Sequence, residues 1–114
     1  MNIDNLKSQM RKGMLEFCVL LILKHKAAYA SEMIAALKEA QLIVVEGTLY
    51  PLLTRLKNDG LLAYNWQEST SGPPRKYYSL TPLGHEFLGQ LQSSWEEILT
   101  SVSHLQSINP NENL

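Results

Sequence analysis

The residues of this chain whose types and spacing suit chemistry are hydrogen-bond donors crowded onto one short segment. "VVEGTLYPLLTRLKNDGLL", Val44 to Leu62, reads as a helix that stops at Gly60. Leu49, Leu52, Leu53 and Leu56 recur at i, i+3, i+4 and i+7 and form its core-facing stripe. The other face carries Thr48, Tyr50, Thr54, Arg55, Lys57 and Asn58. That donor set suits a nucleic acid. Arginine grips guanine through two parallel hydrogen bonds, and threonine bonds a base or packs on a thymine methyl. A second cluster lies in "SGPPRKYY", where Arg75 and Lys76 stand at the base of a glycine- and proline-rich loop. A protruding basic tip suits phosphates and the minor groove, whose concentrated negative potential attracts cations. Of the tyrosines that follow, one is expected in the core and the other, taken as Tyr77, outward and able to donate to a phosphate.

Other chemistries lack their residues. There is no serine–histidine–aspartate set, no glycine-framed pair of carboxylates, no phosphate loop and no nucleotide fingerprint. Glu96 and Glu97 are adjacent, so they leave a helix on different faces. Cys18, the one cysteine, sits in the apolar run "EFCVLLIL" and reads as a small core hydrophobe. His25, His85 and His104 have no metal-ligand spacing. Neither an enzyme activity nor a metal or cofactor is expected.

The chain has the size of one domain, 114 residues, and 45% hydrophobic residues support a real core. The longest apolar run, Phe17 to Leu23, is too short to span a bilayer, and "MNIDNLKSQMRKG" lacks the apolar stretch of a signal peptide, so a cytoplasmic protein is expected. The net charge of -1 hides an asymmetry: all ten Lys and Arg lie at or before Lys76, while the part from Pro82 onward has four Glu and no cation. A basic front and an acidic back fit a nucleic-acid-facing half joined to a partner-facing half.

The elements that must position these groups follow from periodicity. A first helix runs from about Asp4, its N-cap, to about Lys24. "SEMIAALKEAQL" is a second helix capped by Ser31, with Met33, Ile34 and Leu37 inward. The donor-rich segment is the third, with Pro51 expected in its first turn. The period then changes to two: "LLAYNWQE" and "RKYYSLT" are strands joined by a floppy "STSGPP" tip. Leu62, Tyr64, Trp66, Tyr78 and Leu80 are the face that packs on the helices. Thr81-Pro82 starts a fourth helix that reaches about Ser107. The fold class is mainly α with a small β-hairpin: a winged helix-turn-helix over residues 1–81, a long C-terminal dimerisation helix over 82–107 and a flexible tail over 108–114.

Three blocks, "RKGMLEFCVLLIL", "EGTLYPLLTRLKNDGLL" and "GPPRKYYSLTPLG", in this order and spacing, resemble the PadR family of transcriptional regulators, of the short type with one C-terminal helix. At Ala30 and Ser31 the chain departs from the glycine and tyrosine usual in that family. The resemblance implies a dimeric repressor that binds a palindromic operator near its own or a neighbouring gene and is released by a ligand or stress signal. With the donor face and basic wing read above, the residues expected at the DNA are Ser31, Thr48, Tyr50, Thr54, Arg55, Lys57, Arg75, Lys76 and Tyr77. The alternative is a winged-helix module that meets other proteins and not DNA; exposed apolar residues would then be expected on the third helix, and that face has none.

Leu88, Leu91, Trp95, Ile98, Val102 and Leu105 step by three and four, the seam of a coiled coil. The expected partner is a second copy, meeting this helix and the first. Trp95 carries two readings. It lines a space between subunits that admits a flat hydrophobic compound, with Met14, Phe17 and Leu99 as walls and Glu16 or Glu96 as counter-charge. Otherwise it is an anchor that fills its own space. The sequence resembles the multidrug-sensing branch of the PadR family here, which has a tryptophan in the matching part of this helix.

Overall fold

The structure is a computed structural model and describes residues 2–111. The elements run α1 (Ile3–His25), β1 (Ala28–Tyr29), α2 (Ala30–Glu39), α3 (Glu46–Asn58), β2 (Leu62–Ser69), β3 (Gly72–Leu80) and α4 (Pro82–Gln106). This is the mainly helical, small-sheet fold expected from the sequence, with one addition. β1 pairs antiparallel with β3 through Ala28↔Tyr78 and Tyr29↔Tyr77, so the sheet has three strands in the order β1-β3-β2. Two residues between helices are too few to show a period, which hid β1 from sequence reading.

Local chemistry moves several boundaries. Asn2, not Asp4, caps α1; its side-chain oxygen accepts the Asp4 N–H at 2.8 Å, and Asp4 sits in the first turn where an acid favours the helix dipole. Tyr29, not Ser31, occupies the cap of α2, and its N–H donates to the Glu32 carboxylate at 2.9 Å. Ser31 is thereby left in the exposed first turn. Pro51 falls in the second turn of α3, because the helix starts at Glu46. Its missing N–H leaves the Gly47 carbonyl without a helical partner, on a side of α3 where both residues are exposed. Gly60 closes α3 in the left-handed region, φ 82, so that Leu61 N–H reaches the Leu56 carbonyl at 3.0 Å.

The hairpin is longer than expected. β2 and β3 pair from Leu62↔Leu80 to Ser69↔Gly72, with a bulge between Gln67 and Ser69, so the turn is only Thr70-Ser71 and both Pro73 and Pro74 lie within β3. The face predicted to pack on the helices does so only at its base. Leu62 and Tyr78 are buried, whereas Trp66 is 61% exposed because the strand runs out beyond the helices.

The core is apolar throughout, with Val19, Leu20, Met33, Leu37, Leu49 and Leu53 its most enclosed side chains. Leu88 of α4 joins it at 3% exposure, so this expected seam residue is taken by its own chain. Further along α4, Leu91, Ile98, Leu99, Val102 and Leu105 are exposed, as are Ile3, Leu6 and Met10 on α1. The chain measures 65 × 33 × 22 Å because these helices project past the core. Of the expected flexible tail, Pro110 and Asn111 form a turn, and the Asn111 N–H donates to the Asn109 side chain; residues 112–114 lie outside the described residues.

Candidate nucleic-acid interface

α3 is fastened on its inner side by its four leucines, and the rest of its surface divides into three strips at 3.6 residues per turn. Gly47, Pro51, Thr54 and Asn58 make the outermost strip, all exposed. Tyr50 and Lys57 flank it on the wing side, where the Lys57 ammonium lies 5.9 Å from the Tyr64 ring centre. Thr48 and Arg55 flank it on the α1 side. Sequence reading grouped these donors as one face; the backbone spreads them over about half the circumference of the helix.

Arg55 is already engaged. Its guanidinium forms an ion pair with Glu16 of α1, both side chains about half exposed. Two expectations change together. Arg55 has one guanidinium nitrogen engaged and the rest of the group exposed, and Glu16 faces α3 rather than Trp95, because it is one residue, and so a large helical rotation, from Phe17. Phe17 is the residue that meets Trp95, with ring centres 6.4 Å apart and planes at 46°. Met14 is half-buried and, with Leu15 and Cys18, lines a cleft between α1 and the segment that leads into α3; Glu96 and Leu99 are exposed.

The wing cations do not project from the tip. Successive β3 residues leave on opposite faces, and each finds an aromatic surface. The Arg75 guanidinium lies 3.9 Å from the centre of the Tyr29 ring, which itself packs against Tyr77 with centres 4.8 Å apart and planes at 53°. The Lys76 ammonium lies 4.6 Å from the Tyr64 centre and 5.4 Å from the Trp66 centre. These cation–π contacts seat the two charges against rings on opposite faces of the wing. As expected, Tyr77 is the outer tyrosine, half-buried, and Tyr78 the inner one. Burial, then the neighbouring Tyr50 and Tyr64, push the Tyr78 phenol above its ordinary value, so it stays neutral. Burial likewise raises the Cys18 thiol and keeps it protonated; the residue is half-buried at the edge of the core.

Thr81 ties this surface together from beneath. Its hydroxyl donates to the Gly60 carbonyl at 2.6 Å and accepts the Gly84 N–H at 3.0 Å, and its own N–H donates to the Leu61 carbonyl at 3.1 Å. These bonds join the end of α3, the start of β2 and the start of α4. Tyr29, Trp66 and Gly84 are the contributors that sequence reading missed or misplaced. Trp66 had one signal: its cross-strand partner is Lys76, a cation, which marks that rung as solvent-facing.

Three helices leading into a paired wing, with the donor-rich α3 beside two ring-mounted cations, define a winged-helix DNA-binding fold. Comparison with known proteins narrows this further. The model of the Transcriptional regulator PadR-like family matches residues 19–90, and the chain belongs to that family. It is similar to a PadR-like transcription factor from Bacteroides fragilis, 66% identical, with 89% of this chain and 98% of the other covered and a TM-score of 0.76. It is also similar to a PadR family regulator from Eggerthella lenta, 31% identical, with 94% of both chains covered and a TM-score of 0.81. A transcriptional regulator of Mycobacterium tuberculosis is 41% identical over 64 residues, 56% of this chain and 59% of that protein. The chain is thus a transcriptional regulator and not an enzyme. Among the described residues no acid, histidine or cysteine group could hold a metal, and no helix is long and apolar enough to cross a membrane.

Proposed function

We propose that this regulator is a cytoplasmic, homodimeric repressor of a palindromic operator, with residues 1–81 at the DNA and α4, within residues 82–107, joining two copies. The observation that carries the reading is the separation of surfaces. Donors and mounted cations gather on α3 and the wing, while uncovered apolar stripes run along the projecting parts of α1 and α4. α3 enters the major groove with Thr54 and Asn58 outermost, Tyr50 and Lys57 toward the wing, and Thr48 toward α1. Ser31 at the start of α2 and Arg75, Lys76 and Tyr77 on the wing meet the backbone. Two copies present their α3 helices about one DNA turn apart, ~34 Å.

The test is fluorescence anisotropy with labelled DNA from upstream of the protein's own gene, against a scrambled duplex, across a salt series. Selective, salt-sensitive binding is expected. Arg75→Ala with Lys76→Ala should weaken both duplexes alike, by about tenfold or more, and lower the salt slope by about 1.8, the counterions released by two phosphate contacts. An unchanged slope removes the wing from the interface. Weak, equal binding to both duplexes favours a protein-binding module.

Glu16 restrains Arg55 in this reading, since its carboxylate holds one guanidinium nitrogen and offsets part of the charge that the DNA would meet. Glu16→Gln should therefore raise affinity about two- to fivefold, the range of an exposed ion pair. An unchanged affinity would mean that Arg55 does not reach the DNA.

Release follows from the same architecture. A flat hydrophobic ligand entering beside Trp95, between subunits at α1 and α4, shifts one subunit against the other and changes the distance between recognition helices, so both half-sites are no longer met together. Phe17 and Met14 wall that space on the α1 side, with Leu99 and Glu96, the remaining counter-charge, on α4.

A further inference from the structure

Between the wing and the starts of α2 and α3 lies a cleft of about 450 Å³ whose lining includes Ser31, Glu46, Tyr50, Trp66, Pro73 and Lys76. Trp66 is the largest exposed side chain on it, 61% accessible on a strand, β2, that is otherwise polar toward the tip of the hairpin. We infer that this cleft seats one strand of the DNA backbone, with Trp66 packed on deoxyribose and Lys76 on the adjoining phosphate. The inference rests on the DNA-binding reading above and adds to it a subsite and a contact residue.

Four observations lead there. With α3 in the major groove and the wing over the neighbouring minor groove, the sugar–phosphate strand dividing the two grooves must pass between α3 and the wing, which is where this cleft lies. Its chemistry is two-sided in the way such a strand is: Trp66 and Pro73 offer apolar surface to the sugar, and Ser31, Tyr50 and Lys76 offer donors to the phosphate. The Lys76 ammonium is already held 5.4 Å from the Trp66 ring centre and 4.6 Å from that of Tyr64, so little freedom is lost when it meets an anion. The start of α2 also opens on the cleft at Ala30 and Ser31, where the helix dipole favours negative charge. Glu46, the acid of the lining, repels phosphate and confines it to the Lys76 and Ser31 side.

The chain has two tryptophans, so the two proposed sites can be read apart. In Trp95→Phe, Trp66 is the sole reporter. Its emission should change on titration with the upstream duplex or with the scrambled one, at the midpoint given by anisotropy, because sugar and phosphate carry no base sequence. In the otherwise native chain, Trp66→Ala should lower affinity for both duplexes about tenfold, and Trp66→Phe should restore most of it. Binding seen by anisotropy with silent Trp66 emission and an unaffected Trp66→Ala variant would overturn the cleft and leave the DNA reading intact. No binding of either duplex by the native chain would overturn both.

Discussion

Ile98→Glu should leave each chain folded but monomeric, and lower affinity for a two-site operator by about a hundredfold or more. The fold should survive because Ile98 is 54% exposed in its own chain and contributes nothing to the core. In the proposed dimer the position lies on the α4 seam, where two copies would bury two carboxylates in apolar surroundings. A buried unpaired charge costs several kcal/mol, enough to split a helix-mediated dimer at working concentrations. The loss at DNA follows from valency. The second recognition helix of a dimer binds at an effective concentration near millimolar, and a monomer forfeits that gain while keeping every contact of its half-site. Sedimentation should report the monomer mass, circular dichroism an unchanged helix content, and a half-site duplex a nearly unchanged affinity. A variant that stays dimeric and binds normally would remove α4 from the interface. Leu88 cannot serve this test: it is 3% exposed, so a charge there would unfold the chain first.

The contrast between Ile98 and Leu88 also shows what was legible in the sequence. Period told helix from strand correctly at every long element, because each buries one face and the pattern of burial is written in residue type. It also identified the apolar seam of α4. It did not say which part of the seam its own chain consumes, because that depends on where α4 crosses α1. The site was legible as composition and less so as geometry. Arg55 and Lys57 look equivalent in sequence, yet one turns to Glu16 and the other to Tyr64, neighbours set by tertiary packing. Arg75 and Lys76 read as one basic tip, but strand alternation sends them to different rings. Trp66 has the right period for a core residue and the wrong place, since nothing local marks where the helices stop covering the hairpin.

The largest effect on stability is expected from the smallest change, Gly84→Ala. A Cβ at Gly84 would lie 2.1 Å from the Leu61 carbonyl oxygen, 3.1 Å from its carbon and 3.2 Å from a Leu80 methyl. The first two are backbone, so the clash cannot be relieved by turning a side chain. The first turn of α4 must lift instead, and Thr81 lifts with it. Its hydroxyl bonds to Gly60 and Gly84 and its N–H bond to Leu61 are then lost or stretched. Overpacking of this kind, with the cap disturbed as well, should cost about 3 kcal/mol and lower Tm by about 10–20 °C. Gly89 is the control within the same helix. An added Cβ there meets nothing within 4 Å, and alanine is the better helix former, so Gly89→Ala should raise stability by about 0.5–1 kcal/mol. Thermal melts at one protein concentration test both, since melting of a dimer depends on concentration. Opposite signs would place the junction of α3, β2 and α4 among the rigid parts of the molecule. The angle between the wing and the dimer helix would then be fixed at Gly84, and any inducer would have to act by moving whole subunits. Equal, small effects would mean that α4 pivots freely on the winged domain, and the fixed spacing of the two recognition helices would need another origin.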